Sequence, residues 1–120
     1  MGETSVSPMV ELKTVDGRVV CERCRVAKTP FARMRGLLGR RGLEEGECLL
    51  LRPASSVHTF FMRFPIDVVF LSRDGEVLKV AAELPAWRTA AARGAKAVVE
   101  LPAGEAARRG LGVGERLELP

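Results

Sequence analysis

The segment SSVHTFFMRFPIDVVFL, residues 55–71, places ionisable side chains in the most apolar part of the chain. It contains the only histidine, His58, together with Arg63, Asp67 and most of the phenylalanines. An imidazole can act as a base, a carboxylate can orient it, and a guanidinium can bind an anion. His58 and Asp67 are therefore the candidate catalytic residues of a hydrolase. No Gly-x-Ser-x-Gly motif or other recognisable nucleophile accompanies them, so binding is favoured over catalysis.

Asp67 also has a structural interpretation. A carboxylate in an apolar strand needs partners, and the arginines of a predicted helix could supply a bidentate pair. The sequence therefore predicts that Arg35 or Arg40 pairs with Asp67 and fixes the helix to the sheet. It further predicts that His58 and Asp67 form one connected polar cluster with these helix arginines.

A binding surface is the preferred functional hypothesis. Phe61 and Arg63 would lie on the same face of the predicted strand 57–64, and Trp87 follows on a predicted loop. Aromatic residues and arginine are frequent anchors for peptide and protein partners. The predicted ligand-binding residues are His58, Phe61, Arg63, Asp67, Arg35, Arg40 and Trp87.

The three cysteines offer a metal-site alternative. Cys21 and Cys24 form a Cys-x-x-Cys pair, and Cys48 with His58 would complete a Cys₃His zinc site. However, the pair lies in a predicted strand, where residues three apart point to opposite faces. We expect Cys21 and Cys48 to be small core residues and Cys24 to lie near the surface. The sequence thus predicts no metal and no cofactor.

The elements that position these residues are mostly strands. Asp16-Gly17 and Asp74-Gly75 each lie between apolar runs, which predicts two hairpins, over 10–27 and 66–84. Thr29 and Pro30 are typical of a helix start, and Phe31, Met34, Leu37 and Leu38 follow helical spacing. Further strands are predicted at 48–53, 57–64, 96–101 and the last residues, with a short helix near 103–109 and a loop at 85–95. In the strand 57–64, His58, Phe60, Met62 and Phe64 would share one face.

The length and composition favour one domain. The chain has 120 residues, of which 47% are hydrophobic, enough for a core without disulfides. We predict a flexible tail over 1–8 and a single domain over 9–120. The fold class is mainly β (α+β), a compact antiparallel barrel or sandwich of about seven or eight short strands with one main and one short helix.

Charge and cysteine content restrict the partners. The net charge is +4, and the basic residues between 23 and 41 are interpreted as a solvated helix face, so no nucleic-acid partner is expected. No signal peptide and no apolar run of membrane-spanning length are present, and the cysteine count is odd, which together predict a cytoplasmic protein. The expected partner is a small molecule, a peptide or a protein, and the oligomeric state is open.

Three sequence blocks carry a family resemblance: RGLLGR (35–40), HTFFMRFPIDVVFLSRDGEV (58–77) and VVELPAGEAARRGLGVGERLEL (98–119). Together they resemble the prokaryotic uncharacterised ACR family, domain of unknown function 192. The resemblance implies a small, mostly β protein and carries no established activity. The matching positions are Arg35, Gly36, Leu37, Gly39, Arg40, Met62, Pro65, Asp67, Phe70, Asp74, Gly75 and 101–104. Some relatives carry an export signal, which this chain lacks.

Overall fold

The computed structural model describes residues 9–28 and 42–120, which form a curled sheet with one short helix. The sheet has seven strands in the order β6-β5-β8-β3-β2-β1-β9, and β4 pairs with β7 in a separate two-stranded sheet. The strands are β1 Val10–Thr14, β2 Val19–Ala27, β3 Glu47–Leu51, β4 Ser56–His58, β5 Ile66–Leu71, β6 Val77–Leu84, β7 Thr89–Ala91, β8 Ala97–Pro102 and β9 Leu117–Glu118, and the helix α1 is Glu105–Arg108.

Both predicted hairpins are confirmed. β1 pairs with β2 and β5 pairs with β6, both antiparallel. The turn glycines Gly17 and Gly75 have φ values of 94° and 89°, a conformation that glycine adopts without steric cost. Asp-Gly therefore set these two turns locally, as the sequence predicts.

The ends of the seven-stranded sheet approach each other. An isolated bridge joins Glu76 to Arg116, and the Leu117 N–H donates to the Gly75 carbonyl at 2.8 Å. The start of β6 thus meets β9 across the opening of the sheet. The predicted mainly β, barrel-like class is confirmed, and the pairs between its strands are antiparallel except for β2 with β3, which is parallel.

Apolar side chains cover both faces of the sheet. One buried cluster fills the inside of the curl and includes Leu12, Leu50, Val99 and Leu117. The second covers the other face and includes Met62, Ile66 and Phe70. Burial on both faces explains why β5 and β8 are apolar at nearly every position, apart from the buried acids Asp67 and Glu100.

The predicted strand over 57–64 is wrong beyond His58. β4 ends there, and Phe61 adopts a left-handed conformation with φ of 67°. Thr59 and Met62 are buried while Phe60 and Phe61 are exposed, so the predicted alternation of faces fails. The chain turns because Thr59 forms hydrogen bonds with the segment 85–88, as described below.

Several other predictions can be placed. The predicted loop 85–95 contains the short strand β7, and α1 confirms the predicted short helix. The predicted helix at 30–40, with Arg35 and Arg40, and the predicted tail over 1–8 lie outside the described residues. No helix in the described part of the chain combines the length and apolarity needed to cross a bilayer.

Candidate functional site

Four aromatic rings, of His58, Phe60, Phe61 and Trp87, form a continuous exposed group that we call the aromatic cluster. The rings of His58 and Phe60 stack with centroids 4.8 Å apart, and those of Phe60 and Trp87 stack at 5.7 Å. Phe61 meets Trp87 edge-on at 4.7 Å. Phe61 and Trp87, two of the predicted ligand-binding residues, therefore lie in contact in the structure.

Thr59 positions the two loops that carry the cluster. Its side chain is fully buried, and its hydroxyl donates to the Pro85 carbonyl at 2.6 Å while accepting from the Arg88 N–H at 2.8 Å. Its backbone N–H donates to the Arg88 carbonyl, and its carbonyl accepts from Trp87. One buried threonine thus holds both loops at the end of the β4–β7 sheet, where His58 pairs with Thr89.

The two outermost aromatic residues have unusual backbones. Phe61 and Trp87 have φ values of 67° and 63°, although bulky residues rarely adopt positive φ. Their exposed fractions are 69% and 55%, so this conformation does not serve core packing. Strained residues that project apolar area into solvent are frequent in ligand-binding sites.

Arginines flank the aromatic cluster. Arg63 is exposed two residues beyond Phe61, and Arg88 is exposed directly after Trp87. A guanidinium nitrogen of Arg88 donates to the Trp87 carbonyl at 3.3 Å. The surface therefore combines aromatic rings with positive charge.

Asp67 lies elsewhere, buried at the start of β5. Its Oδ1 accepts from the backbone N–H groups of Glu83 (2.8 Å) and Gly104 (3.0 Å), and its Oδ2 accepts from that of Ala106 (2.8 Å). Gly104 is the N-cap of α1 and has no side chain to cap it. Asp67 supplies that cap from a distant strand, which accounts for a carboxylate in the core.

The described hydrogen bonds do not join His58 to Asp67, the two members of the predicted polar cluster that the structure describes. His58 is exposed, and its Nδ1 accepts from the Phe60 N–H at 3.3 Å. The hydrogen bonds to Asp67 from described residues come from backbone amides rather than from Arg63 or His58. The predicted partners Arg35 and Arg40 lie outside the described residues.

The three cysteines form a second group of functional side chains. The sulfur atoms of Cys21, Cys24 and Cys48 all lie within 4.8 Å of one another. All three are free and buried, so the prediction that Cys24 lies near the surface is wrong. Among the described residues, the group of possible metal ligands consists of these three sulfur atoms and does not include His58.

A β-bulge in β2 brings Cys21 and Cys24 to the same face. Val10 of β1 lies opposite Cys24 of β2, and Leu12 lies opposite Cys21. The two β1 residues are two positions apart, whereas the two cysteines are three positions apart. The N–H groups of Glu22 and Arg23 both donate to the Gly46 carbonyl, at 3.1 and 2.9 Å. The prediction of opposite faces is therefore wrong, because it assumed a regular strand and the bulge inserts an extra residue.

Hydrogen bonding among the thiols separates their acidities. Donation from Cys24 and Cys48 lowers the pKa of Cys21 to about 4, since it stabilises the Cys21 thiolate. The bond to Cys21 raises the pKa of Cys24 to about 12, and burial raises the pKa of Cys48. Of the three thiols, Cys21 therefore has the lowest pKa, because its thiolate is the one that these hydrogen bonds stabilise.

Glu100, on β8, is a buried acid that the sequence prediction treated as an ordinary strand residue. Burial raises the pKa of Glu100 to about 7, and within the described residues its Oε1 has no hydrogen-bond partner. The position of Glu100 between apolar residues in VVEL was the available signal.

An open pocket of about 300 Å³ lies apart from both groups. Its lining includes three cations, Arg52, Arg73 and Lys96. Arg52 already donates to the carbonyl of Pro120. This pocket shares no residue with the aromatic cluster or with the cysteines.

The similarity to known proteins agrees with this architecture. Residues 11–119 match the family model of DUF192, described as Uncharacterized ACR. The chain belongs to the DUF192 family. A UPF0127 protein of Thermococcus sibiricus is 36% identical over 93 residues, covering 73% of this chain and 60% of that relative. The chain thus spans less than two thirds of that relative's length.

Two solved structures extend the DUF192 comparison to the fold. A protein of unknown function from Novosphingobium aromaticivorans superposes with a TM-score of 0.79 at 25% identity, covering 95% of this chain and 85% of that one. A protein from Sinorhizobium meliloti also gives 0.79, at 26% identity, covering 98% and 97%. The DUF192 family is of unknown function, so function must be argued from the site.

The fold explains part of the DUF192 resemblance. Asp67 and the segment 101–104 belong to two of the sequence blocks that carry the resemblance, and the structure joins them where Gly104 donates to Asp67. These matching positions form a structural contact between β5 and the start of α1.

Proposed function

We propose that this protein is a binding module that holds a peptide segment of another protein against the aromatic cluster. The main support for this proposal is the pair of exposed aromatic residues Phe61 and Trp87. Their ring centroids lie 4.7 Å apart, and both residues have a left-handed backbone conformation. Aromatic side chains supply large contact areas with little rotational entropy to lose. A surface fixed before binding also lowers the cost of association.

The chemistry of the surface favours a peptide that carries apolar residues beside carboxylates. Phe60, Phe61 and Trp87 offer apolar rings, and Arg63 and Arg88 offer exposed cations next to them. The net charge of +4 favours acidic partners at long range. Aromatic and arginine anchors are enriched where such partners bind.

The hydrolase alternative has less support. Asp67 would have to orient His58, yet both of its oxygens accept from backbone N–H groups. His58 contributes its ring to the stack with Phe60. We assign His58 to the binding surface, with Phe61, Arg63 and Trp87, and treat Asp67 as structural.

We also propose a cytoplasmic location. The sulfur atoms of the three cysteines lie within 4.8 Å of one another, and all three cysteines are free thiols. Free thiols in such proximity fit a reducing compartment, where disulfides rarely persist.

Selection of random peptides on the immobilised protein tests the binding proposal. Random dodecapeptides displayed on phage are selected on the wild type, and the enriched sequences are made as synthetic peptides. We expect aromatic or aliphatic residues next to Asp or Glu. The Phe61→Ala and Trp87→Ala variants should each bind at least about tenfold more weakly by calorimetry, as expected for central anchors.

Val113→Ala is the matched control, because Val113 is an apolar residue that is 71% exposed outside the cluster. It should leave peptide affinity unchanged. Equal binding by the wild type and both aromatic variants would contradict the proposal. Quenching of Trp87 by oligonucleotides or oligosaccharides, without peptide enrichment, would replace the peptide with a different partner.

A further inference from the structure

The buried cysteines form a compact set of soft ligands in the apolar interior. Cys21 and Cys24 are fully buried, and Cys48 is 3% exposed. They pack within the same apolar cluster as Leu12, Val26 and others. Thiolates prefer soft ions such as Cu(I) and Zn(II), whereas carboxylates and water suit harder ions.

The sulfur positions match the size of a metal site. A metal–thiolate bond is about 2.3 Å long, so three sulfurs on one ion lie roughly 3.8–4.0 Å apart. The three sulfurs here lie within 4.8 Å of one another. The largest of these separations therefore exceeds the spacing in a metal site by no more than about 1 Å.

The backbone places the ligands through the pairing of β2 with β3 and through the bulge of β2. Cys24 and Cys48 are register partners in the parallel pair of β2 and β3. The bulge turns Cys21 toward them, and the Cys21 sulfur lies 3.4 Å from the Gly46 carbonyl oxygen. Gly46 has a φ of 87°, and a Cβ there would lie 2.8 Å from Glu22 Oε1. Such preorganisation lowers the cost of binding an ion.

We propose that Cys21, Cys24 and Cys48 bind one thiophilic metal ion through their three sulfur atoms. This differs from the Cys₃His zinc site considered as an alternative above, because His58 is exposed and stacks with Phe60 in the aromatic cluster. Structural zinc is almost always four-coordinate. Three sulfurs alone fit monovalent copper better, so Cu(I) is the favoured ion. The ion would link the bulge of β2 to β3.

Metal binding by the reduced, untagged protein tests the site. Protein freed of metal is incubated without oxygen with Cu(I) or Zn(II), passed through a desalting column and examined by native mass spectrometry. We expect one Cu(I) per wild-type chain, competed by a Cu(I) chelator. Each of Cys21→Ala, Cys24→Ala and Cys48→Ala should bind at least tenfold more weakly, since even loss of an outer partner costs about 10–100-fold.

Val26→Ala is the matched control, because Val26 is buried in the same cluster and strand but carries no sulfur. It should lose stability yet keep one ion per chain. Should a cysteine variant fail to fold, thiol-reagent labelling of the wild type gives an independent reading. Bound metal should slow modification of all three thiols and raise the midpoint of urea unfolding.

Three results would overturn parts of the proposal. If the wild type retained neither Cu(I) nor Zn(II) at one ion per chain, the proposed metal site would be ruled out. Equal retention by the cysteine variants would place the ion elsewhere. If the wild type retained one Zn(II) and no Cu(I), and the cysteine variants lost that Zn(II), the thiol site would be supported and the preference for copper overturned.

Discussion

Asp67 is a charged side chain whose hydrogen-bond donors among the described residues are backbone amides of β6 and the start of α1. The three donors lie 16, 37 and 39 residues away in the sequence. Hydrogen bonds to a carboxylate are stronger than those between neutral groups. Asp67 thus links β5, β6 and the start of α1 through its hydrogen bonds.

Asp67→Asn should lower the free energy of unfolding by about 2–4 kcal/mol, because one amide donor would then face a backbone donor. Urea unfolding at neutral pH measures the change. Asp74→Asn is the control, since Asp74 is 76% exposed and lies 3.8 Å from Arg116. An equally small effect of both substitutions would contradict the structural role of Asp67.

At the scale of elements, the short β4–β7 sheet carries the aromatic cluster at one of its ends. β4 and β7 have three residues each, too few for an isolated hairpin to be stable. Thr59 compensates by holding the segment 85–88 through side-chain and backbone hydrogen bonds. The order of the aromatic cluster therefore depends in part on one buried hydroxyl, which adds to the backbone hydrogen bonds of Thr59.

Thr59→Val preserves the shape of the side chain but removes the hydroxyl. It leaves the Pro85 carbonyl and the Arg88 N–H without this partner, at a cost of about 1–3 kcal/mol. We expect faster local motion of Trp87, the only tryptophan, in time-resolved fluorescence anisotropy. Thr89→Val, at an exposed position of the same sheet, should leave the anisotropy decay of Trp87 unchanged. Unaltered anisotropy in both variants would contradict this view of Thr59.

At the scale of the whole molecule, the barrel closes where the second Asp-Gly turn meets β9. Gly75 is buried, and a Cβ added there would lie 2.1 Å from the Leu117 carbonyl oxygen. The Leu117 N–H donates to the Gly75 carbonyl. The two hairpin glycines therefore differ in role, although their local sequence and φ are alike.

Gly75→Ala should destabilise the protein by about 3–5 kcal/mol, because positive φ and a clash with backbone add together. Gly17→Ala should cost only about 1–2 kcal/mol, since its φ is 94° but nothing lies within 4 Å of the added Cβ. Chemical unfolding of the two variants side by side measures the difference. Similar losses would show that closure at β9 adds little stability.

The family resemblance and the local patterns were sufficient for much of the fold. Asp16-Gly17 and Asp74-Gly75 predicted both hairpins correctly, and the apolar runs predicted β3, β5 and β8. Turn geometry and strand patterning depend on neighbouring residues, so they are legible in one sequence. The predicted strand beyond His58 failed because its competing partners, Pro85 and Arg88, lie 26 and 29 residues away.

The sequence by itself determined a mainly β chain with two Asp-Gly hairpins, and it marked Phe61, Trp87 and Asp67 as unusual. Only the tertiary structure decided what these residues do. It separated Asp67 from the aromatic cluster, turned Cys21 and Cys24 to one face, and brought Cys48 beside them. Such arrangements depend on a bulge, on strand order and on distant backbone donors. They are set by the packing of the whole chain, which no local pattern encodes.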